Sequence, residues 1–308
     1  MTDRASFSLP APAKLNLGLE ILGKRPDGFH ELATIFVAVS LFDTLDFTSS
    51  AEMVVDCTVP ELMGTENLVH DAIRCAQHIA RTTTGAQVTL EKRIPLAAGL
   101  GGASSDAATT LIGCERLWGM RFGSGQLHET AARLGSDVPF FLEGGCAFGQ
   151  GRGEQLEPLT LSNDTWFVLV APKVVIQDKT TTLFRELRPS DFSAGERVFR
   201  QVQRLKSNGV LDASLLVNAF TRPLYERMPS LQEIVVSMTA AGASSVAISG
   251  AGPSHYTVER DRERAFWIAE NLRASLGRGA LVMVVQPVPP RGAEGGRLTG
   301  PPDSSTLK

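Results

Sequence analysis

At 308 residues the chain is long enough for one large domain or two ordinary ones, and its 43% hydrophobic and 20% charged residues set aside disorder and coiled coil. Thirty basic against 33 acidic residues give a formal charge of −3, without the basic excess of a nucleic-acid binder. The four cysteines (Cys57, Cys75, Cys114, Cys146) form no Cys-x-x-Cys pair, and the five histidines have no metal-type spacing with them, so no structural zinc or other protein-held metal is expected.

Met1 to Pro12 contains no apolar run, and no stretch reaches the ~18 apolar residues of a membrane span. Scattered cysteines suit a reducing compartment. The expectation is a cytoplasmic protein that binds neither nucleic acid nor membrane.

Leu15, Leu17, Leu19 and Ile21 alternate with Lys14, Asn16, Gly18 and Glu20, the period-2 pattern of a half-buried strand. Lys14 and Asn16 therefore share a face. Arg25-Pro26-Asp27-Gly28 supplies proline for fixed φ and glycine for positive φ, so the chain turns back there, with Phe29 and His30 at the exit. Ala33–Leu41 and Thr44–Phe47 read as further strands, and Asn67–Arg81 as a helix with Leu68, Ala72, Cys75, Ala76 and Ile79 on one face. Val88-Thr89-Leu90 is strand-like and leads through Ile94-Pro95 into a glycine-rich loop, followed by a helix over Asp106–Leu117. Ser124 is placed to cap a helix that ends at Gly135. Gly144–Gly153 reads as an irregular, turn-rich end to a first domain.

A strand resumes at Trp166–Ala171. Capping boxes at Ser193–Glu196 and Ser230–Glu233 open two helices. Val246–Ser249 and His255–Val258 read as strands around Gly250-Ala251-Gly252-Pro253, Arg262–Ala274 as a helix, and Leu281–Val285 as a last strand. From Pro287 onward, Pro, Gly and Ser without periodicity suggest a mobile tail. This order fits α+β layers better than a doubly wound parallel sheet.

The loop Gly99-Leu100-Gly101-Gly102-Ala103-Ser104-Ser105 has the makings of a phosphate cradle. Glycine lets several backbone N–H groups approach one anion, and a helix starting behind them adds free amides and a favourable dipole. It has no lysine for a Walker A loop, serine where a Rossmann loop needs glycine, and no protein-kinase companions downstream. The glycines alone fit a plain tight turn equally well. Ser104 and Ser105 weigh toward phosphate or a magnesium shell.

Pro95-Leu96-Ala97-Ala98-Gly99 through Ala108 resembles the second motif of the GHMP small-molecule kinases. Pro12-Ala13-Lys14-Leu15-Asn16-Leu17 is similar to their first motif, and Ser249-Gly250-Ala251-Gly252-Pro253-Ser254 to their third. Arg25–Leu32, Gly135–Phe141 and Gly151-Arg152-Gly153-Glu154 narrow the resemblance to the family that phosphorylates 4-diphosphocytidyl-2-C-methyl-D-erythritol. Six motifs in family order span about Pro12 to Val285. Ser249–Pro253 taken alone also fits a homoserine kinase, so another GHMP kinase of homoserine or mevalonate type, or a non-catalytic sensor on the same scaffold, stays open.

The resemblance implies a two-domain α+β fold: an N-terminal GHMP domain over 1–156 with the ATP loop, a ferredoxin-like domain over 157–286, and a tail over 287–308. It implies ATP with Mg2+ as phosphoryl donor and a small cytidyl diphosphate as acceptor, leaving the oligomeric state open between monomer and weak dimer. Asp137 matches the base that takes the acceptor's proton, although without the resemblance its position before Val138-Pro139 reads first as a helix cap. Lys14 matches the cation that offsets transition-state charge, and Asn16 an acceptor contact. Pro95 to Ser105, with Asn67 and Lys92, would hold the nucleotide. Phe29 and His30 match a cytosine-reading pair, with Phe184 as the opposite wall, while Gly250 and Gly252 bring backbone near phosphate. The chain departs from the family pattern at Ala97, Ala98 and Ala103, where small residues or glycine are usual, at Phe29, where tyrosine is frequent, and at His255, where an apolar residue is preferred.

Overall fold

The computed structural model describes residues 6–63, 67–174 and 179–293. β1 (Ser6–Lys24) and β2 (His30–Ser50) form a long antiparallel ribbon around the expected turn, where Gly28 takes φ +86° and Asp27 Oδ1 accepts the Phe29 N–H. The two strands expected at Ala33–Leu41 and Thr44–Phe47 are one, because β2 keeps its pairing with β1 across a register shift at Pro12/Ala13.

β3 (Val54–Cys57), α1 (Leu68–Ala80) and β4 (Gly85–Glu91) follow. Next come α2 (Gly102–Leu117), α3 (Ser124–Leu134), α4 (Val138–Glu143), β5 (Cys146–Gln150) and β6 (Gln155–Leu159). The sheet order is β3-β4-β2-β5-β6, with β1 also paired to β2. The stretch expected to be irregular contains β5, whose pairing with Thr34–Val37 satisfies its backbone. A boundary at 156 would cut β6, which β5 keeps in the first sheet as far as Leu159.

The second sheet begins with β7 (Trp166–Pro172). α5 (Lys179–Arg185), α6 (Glu196–Asn208), α7 (Thr221–Arg227) and α8 (Gln232–Ala240) precede β8 (Ala247–Ile248), and β9 (His255–Glu259), α9 (Arg262–Leu276) and β10 (Ala280–Val285) complete it. Its order β10-β7-β9-β8, antiparallel throughout, is that of a split β-α-β, ferredoxin-like unit. The two-domain α+β reading holds.

The β1–β2 ribbon lies between the two halves. Phe36 and Phe47 pack toward α1 and α2, whereas Leu15, Leu17, Ile35 and Val37 pack on Phe167, Leu169, Val198 and Tyr256. With both faces covered, β1 is buried from Ala11 to Ile21, including the face expected to be polar and solvated. That burial lifts Lys14 and Asn16 out of bulk water and makes their partners decisive.

Three helix starts differ from their local signals. α6 takes its cap from β1: Glu20 Oε2 accepts the Val198 N–H at 2.8 Å and Oε1 accepts the Ser193 hydroxyl at 2.8 Å. A 3-10 turn over Pro229–Leu231 precedes α8, so Ser230 is already in helical backbone. Ser124 is the first residue of α3 and does not cap it.

The segment after β10 departs from the expected tail as far as residue 293. Its N–H and C=O groups pair with Ser40, Ala38 and Glu143 of the first half, and Arg291 donates to Phe141 O at 3.0 Å and Thr109 Oγ1 at 2.8 Å. Hydrogen-bonding acceptors, invisible to a composition-based reading, hold it down. The rest of that expected tail, 294–308, lies outside the described residues.

Candidate active site

Two backbone loops converge beside the middle of β1. The Lys14 N–H donates to Leu100 O at 2.9 Å, the Ser254 N–H to Ala98 O at 3.2 Å, and the Ser249 hydroxyl to Gly99 O at 3.0 Å. Gly99 and Gly101 take φ +82° and +73°. A Cβ on Gly99 would fall 2.2 Å from Ser249 O, and one on Gly101 2.9 Å from Lys14 Cγ, so glycine is required at both for packing as well as backbone angle.

α2 begins at Gly102, four residues before the expected Asp106. The amides of Gly102, Ala103 and Ser104 therefore lie in the first helical turn, where they have no intrahelical acceptor. A phosphate fits such a cradle. Ala103 is helical and exposed, so its methyl costs nothing in backbone terms. The strained departure is Ala97, at φ +51°.

The expected nucleotide residues separate into several groups. Ala97, Gly99 and Gly101 line a cleft of about 1040 Å³, while Ala98 and Leu100 turn into the core and anchor the loop. Leu96 is exposed beside half-buried Pro95. Ser105 is fully buried with an unpartnered hydroxyl, so of the serine pair only half-buried Ser104 stays near the outer side.

Asn67 and Lys92 do not reach the cleft. Asn67 caps α1 through Val69 N and donates to Leu62 O, which uses both ends of its amide. Lys92 is held between Asp43 Oδ2 at 2.5 Å and Asp106 Oδ2 at 2.7 Å, under Gly102. Asp43 Oδ1 also accepts the N–H groups of Arg93 and Ile94. Burial raises the Asp106 carboxyl to about 7 against the opposing pull of Lys92, with the Asp43 charge adding to the rise. Lys92 thus supports the loop from below, a buried role its sequence neighbours do not signal.

On the open side, Lys14 Nζ donates to Asn16 Oδ1 at 2.6 Å and lies 3.4 Å from Asp137 Oδ2. Asn16 Nδ2 donates to Thr34 Oγ1 at 2.8 Å, which fixes the amide orientation. Asp137 occupies the N-cap position of α4, yet its side chain makes no capping bond and instead lines the cleft with Ser136. The carboxylate is therefore free of the helix end and open to the cleft.

At the far end of the cleft, Phe29 is 51% exposed with the Arg152 guanidinium 4.8 Å from its ring centre. The His30 ring stacks on Phe184 at 5.0 Å and 22°, and both rings line the cleft with Phe29. Burial, and to a smaller extent Lys24, lowers the His30 pKa. Gly250 lines the cleft with Lys14 Nζ 3.1 Å from where its Cβ would be. Gly252 lies behind it, with its carbonyl accepting from Lys179.

Residues without a local signature complete the site. Asn218 Nδ2 donates to Ile248 O and Gly250 O at 3.0 and 2.9 Å and shapes the third-motif loop. Glu31 Oε1 accepts the Gly151 N–H and so presents Arg152. His255 is explained as well: Nδ1 bonds Pro253 O at 2.8 Å and Nε2 meets the Tyr225 hydroxyl at 2.8 Å, with burial holding the imidazole down to about 4. It is a neutral strut behind the third-motif loop. Among the described residues, no group of three or more His, Cys, Asp or Glu could hold a metal ion, and no helix is long and apolar enough to cross a membrane.

Comparison with known proteins places this geometry. The model of the GHMP kinases N terminal domain matches residues 67–145. A 4-diphosphocytidyl-2-C-methyl-D-erythritol kinase of Dehalococcoides mccartyi is 38% identical over 283 residues, 92% of this chain and 99% of the relative. A crystal structure of 4-(cytidine 5'-diphospho)-2C-methyl-D-erythritol kinase superposes with a TM-score of 0.73 at 33% identity, covering 91% of this chain and 99% of that one. Homoserine kinase from Cytophaga hutchinsonii reaches a TM-score of 0.72 at 19% identity, over 94% and 98% of the two chains, which shows the shared fold alone.

Proposed function

The chain belongs to the GHMP kinases, in the family of 4-diphosphocytidyl-2-C-methyl-D-erythritol kinases, and from that premise we propose that it transfers the terminal phosphoryl group of ATP to the 2-hydroxyl of 4-diphosphocytidyl-2-C-methyl-D-erythritol, in the non-mevalonate route to isoprenoid precursors. One observation carries the reading: a single cleft holds the Lys14–Asp137 pair beside the glycine loop and the Phe29–His30 surface at its other end.

Phosphoryl transfer asks a protein for positioning and charge stabilisation. The amides of Gly102, Ala103 and Ser104 bind donor phosphate at the positive end of α2. Mg2+ fits as an ion carried in by those phosphates, with Ser104 the nearest hydroxyl of the pair, because hard divalent ions keep phosphate and water oxygens in their shell. Asp137 Oδ2 accepts the acceptor's hydroxyl proton as its oxygen attacks, and Lys14 Nζ stabilises the charge that builds on the transferred group. Asn16, held by Thr34, orients the acceptor. Phe29 and His30 supply a ring face and a polar edge for the cytosine, and a cytoplasmic location is part of the same proposal.

Homoserine has no base to fill that slot. An ADP-release assay offered the cytidyl acceptor, homoserine and mevalonate in turn is expected to respond to the first. Phosphorylation of homoserine alone would refute the assignment.

A further inference from the structure

Lys179 is the first residue of α5, and its side chain crosses between the two halves of the molecule. It is 7% exposed, and its ammonium donates to Ala97 O at 2.5 Å and to Gly252 O. These two carbonyls belong to the nucleotide loop and the third-motif loop, at residues with φ +51° and +68°. A cation at this place is costly on two counts. Burial desolvates it, and Lys14 adds a like charge; together they lower it to about 8. No carboxylate pairs with it among the described residues. What holds it is the two carbonyls.

The same short helix carries Phe184, five residues on or about 7.5 Å along the axis at 1.5 Å per residue. Phe184 stacks on His30 and meets Phe220 edge-on at 4.9 Å. α5 is therefore attached at one end to the backbone of both loops and at the other to the acceptor slot. The attachment through Lys179 has no signal in the local sequence.

We propose that Lys179 is a positioning residue that couples the two substrate sites: α5 carries both Phe184 and the ammonium that clamps Ala97 to Gly252, so an acceptor seated in the slot steadies the clamp and with it the donor loop. The inference rests on the reading of the slot given above. Coupling runs both ways by linkage: donor phosphates beside the loop offset the charge on the ammonium, and a better-held Lys179 holds Phe184 against His30. Lys179 touches backbone rather than substrate, so its effect appears in the mutual dependence of the two ligands.

Calorimetric titration with the non-hydrolysable donor analogue adenosine 5′-(β,γ-imido)triphosphate, alone and with saturating CDP as acceptor-slot probe, measures this directly. In the wild-type protein each ligand is expected to tighten the other by at least ~5-fold, the lower end of ordinary site coupling. Lys179→Met should bring that factor below about 2, whatever it does to the single affinities, and Lys179→Arg, which keeps the charge, should restore part of it. Should the methionine variant not fold, a factor in the arginine variant reduced from the wild-type value supports the clamp, and an unchanged one overturns it. Independent binding in the wild type, competition between the ligands, or a factor that survives in the methionine variant overturns the inference while leaving the kinase assignment standing. Absence of any CDP binding removes the slot reading and the inference with it.

Discussion

Lys14 Nζ stands 3.4 Å from Asp137 Oδ2 and 2.6 Å from Asn16 Oδ1, with the Lys14 side chain 5% exposed and that of Asp137 31%. The buried cation is thus anchored by the amide and shared with a carboxylate that remains open to the cleft. Asp137→Asn keeps the shape and removes the proposed proton acceptor. Turnover should fall at least ~100-fold, the usual weight of a positioned base, while the donor analogue still binds. Lys14→Ala should lower turnover too. Near-normal rates in the asparagine variant would remove Asp137 from the mechanism.

Ala97 and Ala103 should respond oppositely to glycine. At φ +51°, Ala97 carries about 1–2 kcal/mol of left-handed strain, partly offset by the extra freedom glycine brings to the unfolded chain, about 0.4–1 kcal/mol. Ala97→Gly is expected to stabilise by roughly 0.5–1 kcal/mol on that difference. Ala103 is helical, so Ala103→Gly should destabilise by about 0.5–1 kcal/mol. Calorimetric Tm values of the two variants decide; a lowered Tm for Ala97→Gly would contradict the strain argument.

Two buried groups give stability opposite dependences on pH. The Asp106 carboxyl is raised from 3.8 to about 7, so between those values the folded chain holds the extra proton, and stability present at low pH is lost as pH rises. His255 is lowered from 6.5 to about 4, so between those values the unfolded chain holds the extra proton, and stability is lost as pH falls. Denaturant unfolding at pH steps from 4 to 7 should show wild type losing ground to Asp106→Asn as pH rises. It should gain ground on His255→Asn over the lower part of the same range. A pH-independent difference for either variant would refute its assignment.

Arg291 fastens the segment after β10 to the C-terminal end of α4 and to α2 through Phe141 O and Thr109 Oγ1. Arg291→Met leaves a carbonyl and a hydroxyl short of a donor, at about 1–3 kcal/mol for each buried group left unpaired. A chain ending at Gln286 should lose at least as much stability. Unchanged unfolding midpoints in both would show that the segment adds nothing to the fold.

Glycine spacing, the period-2 run of β1 and the Pro-Asp-Gly turn are local signals, and each was legible because its cause lies within a few residues. They placed Lys14 and Asn16 on one face, the phosphate cradle before a helix, and Phe29-His30 at a turn. The resemblance then brought in Asp137, which the chain alone reads as a helix cap. Helix starts were legible less well, since Glu20 caps α6 from a strand far away in sequence.

By itself, then, the sequence determined the α+β class, the glycine loop before a helix and the family. Tertiary structure decided which residues face the ligand: Lys92 is drawn under the loop by Asp43, 49 positions away, and Lys179 reaches Ala97 across 82. Composition and periodicity report whether a side chain prefers water, averaged over all partners. A buried charge is settled by the particular donor or acceptor beside it, and only the folded chain supplies that neighbour.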